Sequence, residues 1–213
     1  MRSTSLPFEV PLRKNLAVAG IALMLLVASL LLLAAPSAQA ATLRLDGVRT
    51  TLTTDPATTS VLFGAGIIPL PVAPTPIVPT ADAARYTFPV TGGAVDSKTL
   101  AGSILHSGGL LLAQRDGMGW KALSLTKFTI RINDKPGLTA IVNGGDRVRI
   151  ADLDLGSAKI DRYTRHGRAF VSIGNVGVTL NATAMGAINS TFGTTLPDEV
   201  KLGTAKVLAR VAH

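Results

Sequence analysis

Across residues 123–132 apolar side chains fall on alternate positions: Leu123 and Leu125, then Phe128, Ile130 and Ile132. A two-residue period predicts a strand with one buried face, and the slip at Thr126-Lys127 predicts a β-bulge. The same signal recurs along the chain. Residues 87–90 read as a strand entering a Gly92-Gly93 turn, and residues 104–112 as two short strands pinched at Gly108-Gly109. An Asp-Lys-Pro-Gly turn ends at Gly137, residues 138–142 form the next strand, and Asn143-Gly144-Gly145-Asp146 makes a hairpin loop. Val148 and Ile150, then Leu153 and Leu155, slip phase again. Residues 156–167 read as a polar loop, and residues 169–173 and 176–180 as two strands joined through Gly174-Asn175. A last strand, residues 200–211, places Ala205, Val207, Ala209 and Val211 on one face.

Two short helices interrupt this pattern. Asp55 is a candidate N-cap with Pro56 at the first helical position, and the helix would stop at Gly64 or Gly66. Later, Asn181 caps a run in which Met185, Ile188 and Phe192 repeat at helical spacing before Gly193. Before the first helix, residues 42–53 read as a strand broken or bulged near Gly47. After it, Pro69 and Pro71 confine residues 67–72 to a sheet edge, and Pro74, Pro76 and Pro79 extend them into a stiff connector. Many short strands with turn signals between them predict an all-β domain, an antiparallel β-sandwich of Ig-like kind with one or two short helices. Residues 41–82 are expected to be an N-terminal strand, helix and connector, and residues 83–213 the main β domain.

The first forty residues have a different character. Arg2, Arg13 and Lys14 precede an uncharged Leu/Ala run over residues 16–35, and Ala38-Gln39-Ala40 follows as a small-residue exit. This is the pattern of a secretory signal peptide cleaved after Ala40, with an uncleaved anchor as the alternative. Cleavage leaves 173 of 213 residues, enough for one domain with a sizeable core. The leader takes three basic residues and one acid with it, so a formal charge of +8 becomes +6. The mature chain is therefore expected to be secreted or held in a bacterial cell envelope, where a basic surface suits an anionic polymer. The chain has no cysteine, so no disulfide framework supports it.

Catalytic signatures are absent from the sequence. No two histidines stand at metal-ligand spacing, and no Gly-x-Ser-x-Gly occurs. Ser124 and Lys127 match a Ser-x-x-Lys spacing, but on an alternating strand they face opposite ways. The chain is read as a non-enzyme; a glycan hydrolase would need two carboxylates converging in a cleft. Two features invite a ligand. The tract over residues 159–168 gathers Lys159, Arg162, Arg165 and Arg168 around Tyr163 and His166, a surface for phosphate, carboxylate or an anionic polymer, or a solvated loop. His106 lies among apolar residues before Gly108-Gly109. It either tightens a hairpin through a backbone carbonyl or contacts a flat ligand where the glycines open the backbone. Nucleic acid is not expected of an exported chain with 4% aromatic residues.

Phe88-Pro89-Val90-Thr91-Gly92-Gly93, Gly102-Ser103-Ile104-Leu105-His106-Ser107-Gly108-Gly109-Leu110, residues 125–130 and Leu138-Thr139-Ala140-Ile141-Val142 together resemble the core of the HtaA-type domain, over about residues 86–142. The resemblance implies a β-rich exported or cell-surface domain, some members of which bind haem. His106 matches the histidine-glycine motif of that family. The iron-ligating tyrosine of its first strand has no counterpart, since Tyr86 and Tyr163 are the only tyrosines here. The resemblance implies a binding protein for haem or another anionic ligand with His106 as a contact; the residues themselves add Tyr86, Tyr163, Arg165 and His166 as candidate contacts. No cofactor other than haem is implied. The alternative is a structural or adhesion module that contacts wall polymer or a protein and holds no small molecule.

Overall fold

A computed structural model describes residues 40–117 and 119–212. Apart from Ala40, the leader lies outside the described residues, as does His213. Among the described residues no helix is long and apolar enough to cross a membrane. Ala40–His213 is one compact unit. Its elements in chain order are β1 (Thr42–Thr54), α1 (Pro56–Gly64), β2 (Ile67–Val72), β3 (Ile77–Pro79), β4 (Ala84–Asp96), β5 (Gly102–His106) and β6 (Gly109–Asp116). Then come β7 (Gly119–Ile132), β8 (Gly137–Val142), β9 (Arg147–Asp154), β10 (Lys159–Arg165), β11 (Arg168–Leu180), α2 (Ala182–Phe192) and β12 (Val200–Val211).

The sheet runs β7-β5-β4-β1-β12-β11-β9-β8, and β8 pairs back onto β7. Eight antiparallel strands thus close on themselves. The expected sandwich is a barrel. Both architectures show the same alternation of inward and outward residues, and they differ in whether the first and last strands meet. Here β7 makes the closure. It is long enough to hold β5 and β6 on one edge and β8 on the other. The predicted bulge lies in it: the register against β8 shifts between Thr126 and Thr129, and Lys127 takes φ 50°. That kink keeps Leu123, Leu125, Phe128, Ile130 and Ile132 all buried.

Several local expectations are met. Among the described residues β2 pairs only with β6, so its prolines sit on an edge strand. Asp55 caps α1 by accepting from the Ala57 N–H at 3.0 Å. Asn181 caps α2 by accepting from the Ala184 N–H at 3.0 Å, and Gly193 ends it in the left-handed region at φ 68°. β1 is irregular where expected, its register against β12 shifting between Leu45 and Gly47. It lies between β4 and β12, so residues 41–82 supply a stave of the same barrel that the rest of the chain completes.

Four segments differ from expectation. The Gly92-Gly93 turn is instead a bulge inside β4, whose register against β5 shifts between Val90 and Gly92. Residues 77–79 of the connector form β3, paired with β4. The polar loop at residues 156–167 contains β10, paired with β11 from Lys159 opposite Gly174 to Arg165 opposite Arg168. Every residue of β10 is exposed, so there is no buried face and no alternation to read. Residues 169–173 and 176–180 are one strand, β11, carrying a bulge where its register shifts between Ile173 and Val176.

The barrel has two unlike ends. Thr54, Ala84, Leu180 and Val200 mark the end that carries both helices. Leu45, Asp96, Arg168 and Val211 mark the other, next to the β10–β11 hairpin.

Candidate functional site

The inward faces of β1, β4, β7, β9 and β11 do not fill the helical end of the barrel. A cavity of about 900 Å³ remains there. Its inner walls include Leu52, Phe88, Leu125, Ile130, Ile150 and Val178, and Ala184, Ala187 and Ile188 of α2 add a further wall. Its mouth lies among α1, the loop at residues 79–84 and the edge strand β2, where Phe63, Ile68, Leu70 and Ile77 line the cavity while remaining exposed. Asp82 is the only Asp, Glu, Lys or Arg side chain among the described lining residues.

His106 lines this cavity from the middle of the barrel, 5% exposed. It ends β5 opposite Val90 of β4. Its Nδ1 lies 3.2 Å from the Phe128 carbonyl oxygen and its Nε2 2.7 Å from the Thr50 hydroxyl. A carbonyl oxygen can only accept, so Nδ1 carries the proton and donates. Nε2 then accepts from Thr50. Burial pushes the imidazole pKa down to about 4, against the weaker opposing effects of backbone hydrogen bonds at Phe128 and Ile104. The ring is therefore neutral at pH 7, with both nitrogens engaged. The bulge in β7 turns the Phe128 carbonyl toward it, and the Phe128 ring meets Phe88 edge-on with centroids 5.0 Å apart.

Tyr86 lines the same cavity and is 1% exposed. Its hydroxyl donates to the Pro69 carbonyl at 2.9 Å, joining β4 to the edge strand β2. Burial raises its pKa, which keeps the phenol protonated.

Gly108 and Gly109 make room for a residue distant in the chain. A Cβ at Gly108 would lie 2.1 Å from the Thr75 hydroxyl oxygen, and that oxygen accepts from the Gly109 N–H at 3.0 Å. The backbone opening expected for a flat ligand is occupied by Thr75, from the turn between β2 and β3.

The remaining candidates are not brought to this cavity. Tyr163 stacks on its cross-strand partner Phe170 on the exposed β10–β11 hairpin, with centroids 5.4 Å apart. Arg165 is the last residue of β10. His166 and Gly167, with φ of 49° and 71°, form the two-residue turn that reverses the chain. Arg162 donates to the Ser97 carbonyl at 3.0 Å, which holds the hairpin against the β4–β5 connection. None of these residues lines the cavity. Thr50 is the residue that sequence reasoning missed. Its one signal was its phase, shared with Leu52, on the inward face of β1.

Fold and site together define a class: a closed antiparallel barrel, helix-capped at one end, whose interior opens there as an apolar cavity. No family model matches the chain, and no curated protein matches it. Solved structures do. The C-terminal domain of HtaA from Corynebacterium glutamicum is similar over 80% of this chain and 99% of its own, at 15% identity and a TM-score of 0.53. HtaB from the same organism, described as a heme binding protein, is similar over 81% of this chain and 99% of its own, at 13% identity and a TM-score of 0.47. The first of these shows a shared fold. The resemblance read from residues 86–142 is thus a resemblance of fold that extends well beyond that stretch.

Proposed function

We propose that the protein is a non-enzymatic binding protein of the cell envelope or exterior, exported by its leader, which carries a lipophilic ligand in the end cavity. The observation that supports this reading is the cavity itself. Well-packed cores leave few voids larger than a water molecule, whereas ligand sites are apolar clefts of roughly 300–1,000 Å³. An open apolar space of about 900 Å³, reached through a rim of exposed apolar side chains, has the size and chemistry of such a site.

The HtaA-like fold brings haem forward as one occupant. A haem asks a site for apolar walls, an axial donor and partners for two carboxylates. The walls fit. The donors do not: His106 Nε2 is held by Thr50, and the Tyr86 phenol is protonated and bound to Pro69. The mouth offers Asp82 where carboxylates would want a cation.

The basic hairpin favours a second reading, contact with an anionic wall polymer. Lys159, Arg162, Arg165 and Arg168 are all exposed there. This surface lies away from the cavity mouth, and the two readings are compatible.

The carrier reading is tested on the compact unit Ala40–His213 with N-phenyl-1-naphthylamine, an uncharged probe that fluoresces in apolar surroundings. Saturable one-to-one binding is expected. Ala187→Phe, which grows a ring from α2 into the cavity, is expected to weaken it at least ~10-fold, the order expected for one displaced apolar group of ring size. Failure to saturate would leave the cavity without a carrier role.

A further inference from the structure

The cavity also discriminates by charge, and this inference rests on the carrier reading above. We propose that its ligand is an uncharged lipid, a long hydrocarbon chain ending in a neutral hydroxyl or ester head, and that it selects against carboxylate-bearing lipophiles, haem among them.

Three observations carry this. First, the polar groups deep in the cavity are already satisfied within the protein. His106 spends one nitrogen on Phe128 and the other on Thr50, Tyr86 donates to Pro69, and Thr54 bonds the backbone of Ala84. Among the described residues no buried side-chain polar atom lacks a partner. A ligand's inner portion therefore meets only hydrocarbon and engaged polar groups, and a polar or metal-bearing centre placed there would give up its water without recovering a bond.

Second, the apolar path does not stop at the mouth. Phe63 is 55% exposed, and Ile68, Leu70 and Ile77 continue the same lining outward. Exposed apolar side chains contiguous with a cavity mark the track of a molecule longer than the enclosed space. A hydrocarbon chain has that shape. Each further methylene placed along the rim should tighten binding about 3–4-fold until the rim is covered.

Third, the head of such a chain would lie where the charge in the described lining is one-sided, with Arg85 and Lys201 outside it. Asp82 sits at the mouth, and no Lys or Arg lines the cavity among the described residues. Exposed hydroxyls of Ser60 and Thr183 also line it. Hydroxyls pair with a neutral alcohol or ester as donor or acceptor. A carboxylate head would meet the Asp82 charge with no cation in the described lining to offset it. The +6 balance of the leader-free chain does not help, because the basic hairpin lies at the other end of the barrel.

The test is displacement of bound N-phenyl-1-naphthylamine from Ala40–His213 at pH 8, where fatty acids are ionised. Monododecanoylglycerol is compared with dodecanoate, and haemin is titrated separately by absorbance. The neutral lipid is expected to displace the probe at a concentration at least ~10-fold lower than dodecanoate, since the carboxylate must give up water beside a like charge. Asp82→Lys should bring the two within about 3-fold of each other, a narrowing that an intrinsic difference in hydrophobicity would not produce. Haemin should give no saturable Soret change. Dodecanoate binding as tightly as the neutral lipid, an unchanged gap in Asp82→Lys, or stoichiometric haemin binding that expels the probe would each overturn the inference while leaving a carrier. Absence of any probe binding would overturn the carrier reading and this one together.

Discussion

At the residue scale the informative group is His106. Its isolation in the sequence allowed a ligand contact or a hydrogen-bonded core residue, and the structure gives it features of both. It faces the cavity, yet both nitrogens are held by the protein. A histidine kept neutral by burial links stability to pH. The folded pKa, about 4, lies below the ordinary value of 6.5. Between these values the unfolded chain binds the proton and the folded chain does not, so stability is fully present above pH 6.5 and is lost as pH falls toward 4. The loss at pH 4 is on the order of 2–3 kcal/mol from this group. Denaturant unfolding of wild type and His106→Gln at pH 7.5 and pH 4.5 reads it. The variant should be about 1–3 kcal/mol less stable at pH 7.5, because Thr50 and the Phe128 carbonyl lose a fitted partner. It should also lose less on acidification than wild type. Equal losses in both proteins would mean that His106 charges freely in the folded state.

At the scale of elements, what was legible and what was not divide along one physical line. Features held by local geometry were legible. The phase slip at Thr126-Lys127 marked the bulge in β7, Asp55 and Asn181 marked the helix caps, and Pro69 and Pro71 marked an edge strand. Features set by distant pairing were not. Nothing local in β7 and β8 states that they pair and close the ring, and nothing local in β10 distinguishes an exposed edge strand from a loop. The cavity was illegible for a related reason, since a leucine facing empty space looks in sequence like a leucine facing another leucine. Gly108-Gly109 shows the intermediate case. The need for close approach was readable, but the approaching group is Thr75, some thirty residues earlier in the chain. Gly109 is closed in on its other side by β7, and Gly109→Ala tests that approach. The new Cβ would lie 2.3 Å from the Leu125 carbonyl oxygen and 2.9 Å from Thr126 Cα, both backbone atoms. Thermal unfolding should show a loss of more than ~2 kcal/mol, as for other collisions in packed structure. Gly119→Ala, with nothing within 4 Å, should change stability by less than ~0.5 kcal/mol. Equal effects would mean that the β7 backbone at Leu125 and Thr126 yields.

At the scale of the molecule the barrel separates two chemistries. One end is apolar, helix-capped and open, with Asp82 the single acidic residue among the described lining residues. The other bears the hairpin where Arg165 and Arg168 pair across a tight turn and Arg162 ties the strand to the Ser97 carbonyl. Sites this far apart with no shared partners behave additively, so each end should be alterable alone. The variant Arg165→Gln with Arg168→Gln removes two exposed charges. Binding to an anionic polymer such as heparin, used as a probe of charge, should weaken and elute at lower salt, since exposed charges act through a screened field. Binding of N-phenyl-1-naphthylamine in the cavity should stay within about 2-fold of wild type, as expected for uncoupled sites. Ala187→Phe should do the reverse, weakening the probe and leaving polymer elution unchanged. A carrier that docks by one end and loads by the other requires this independence. If neutralising the hairpin also weakened the cavity probe, the barrel wall between them, β11 and β12, would have to transmit the change. The two ends would then be parts of one coupled site.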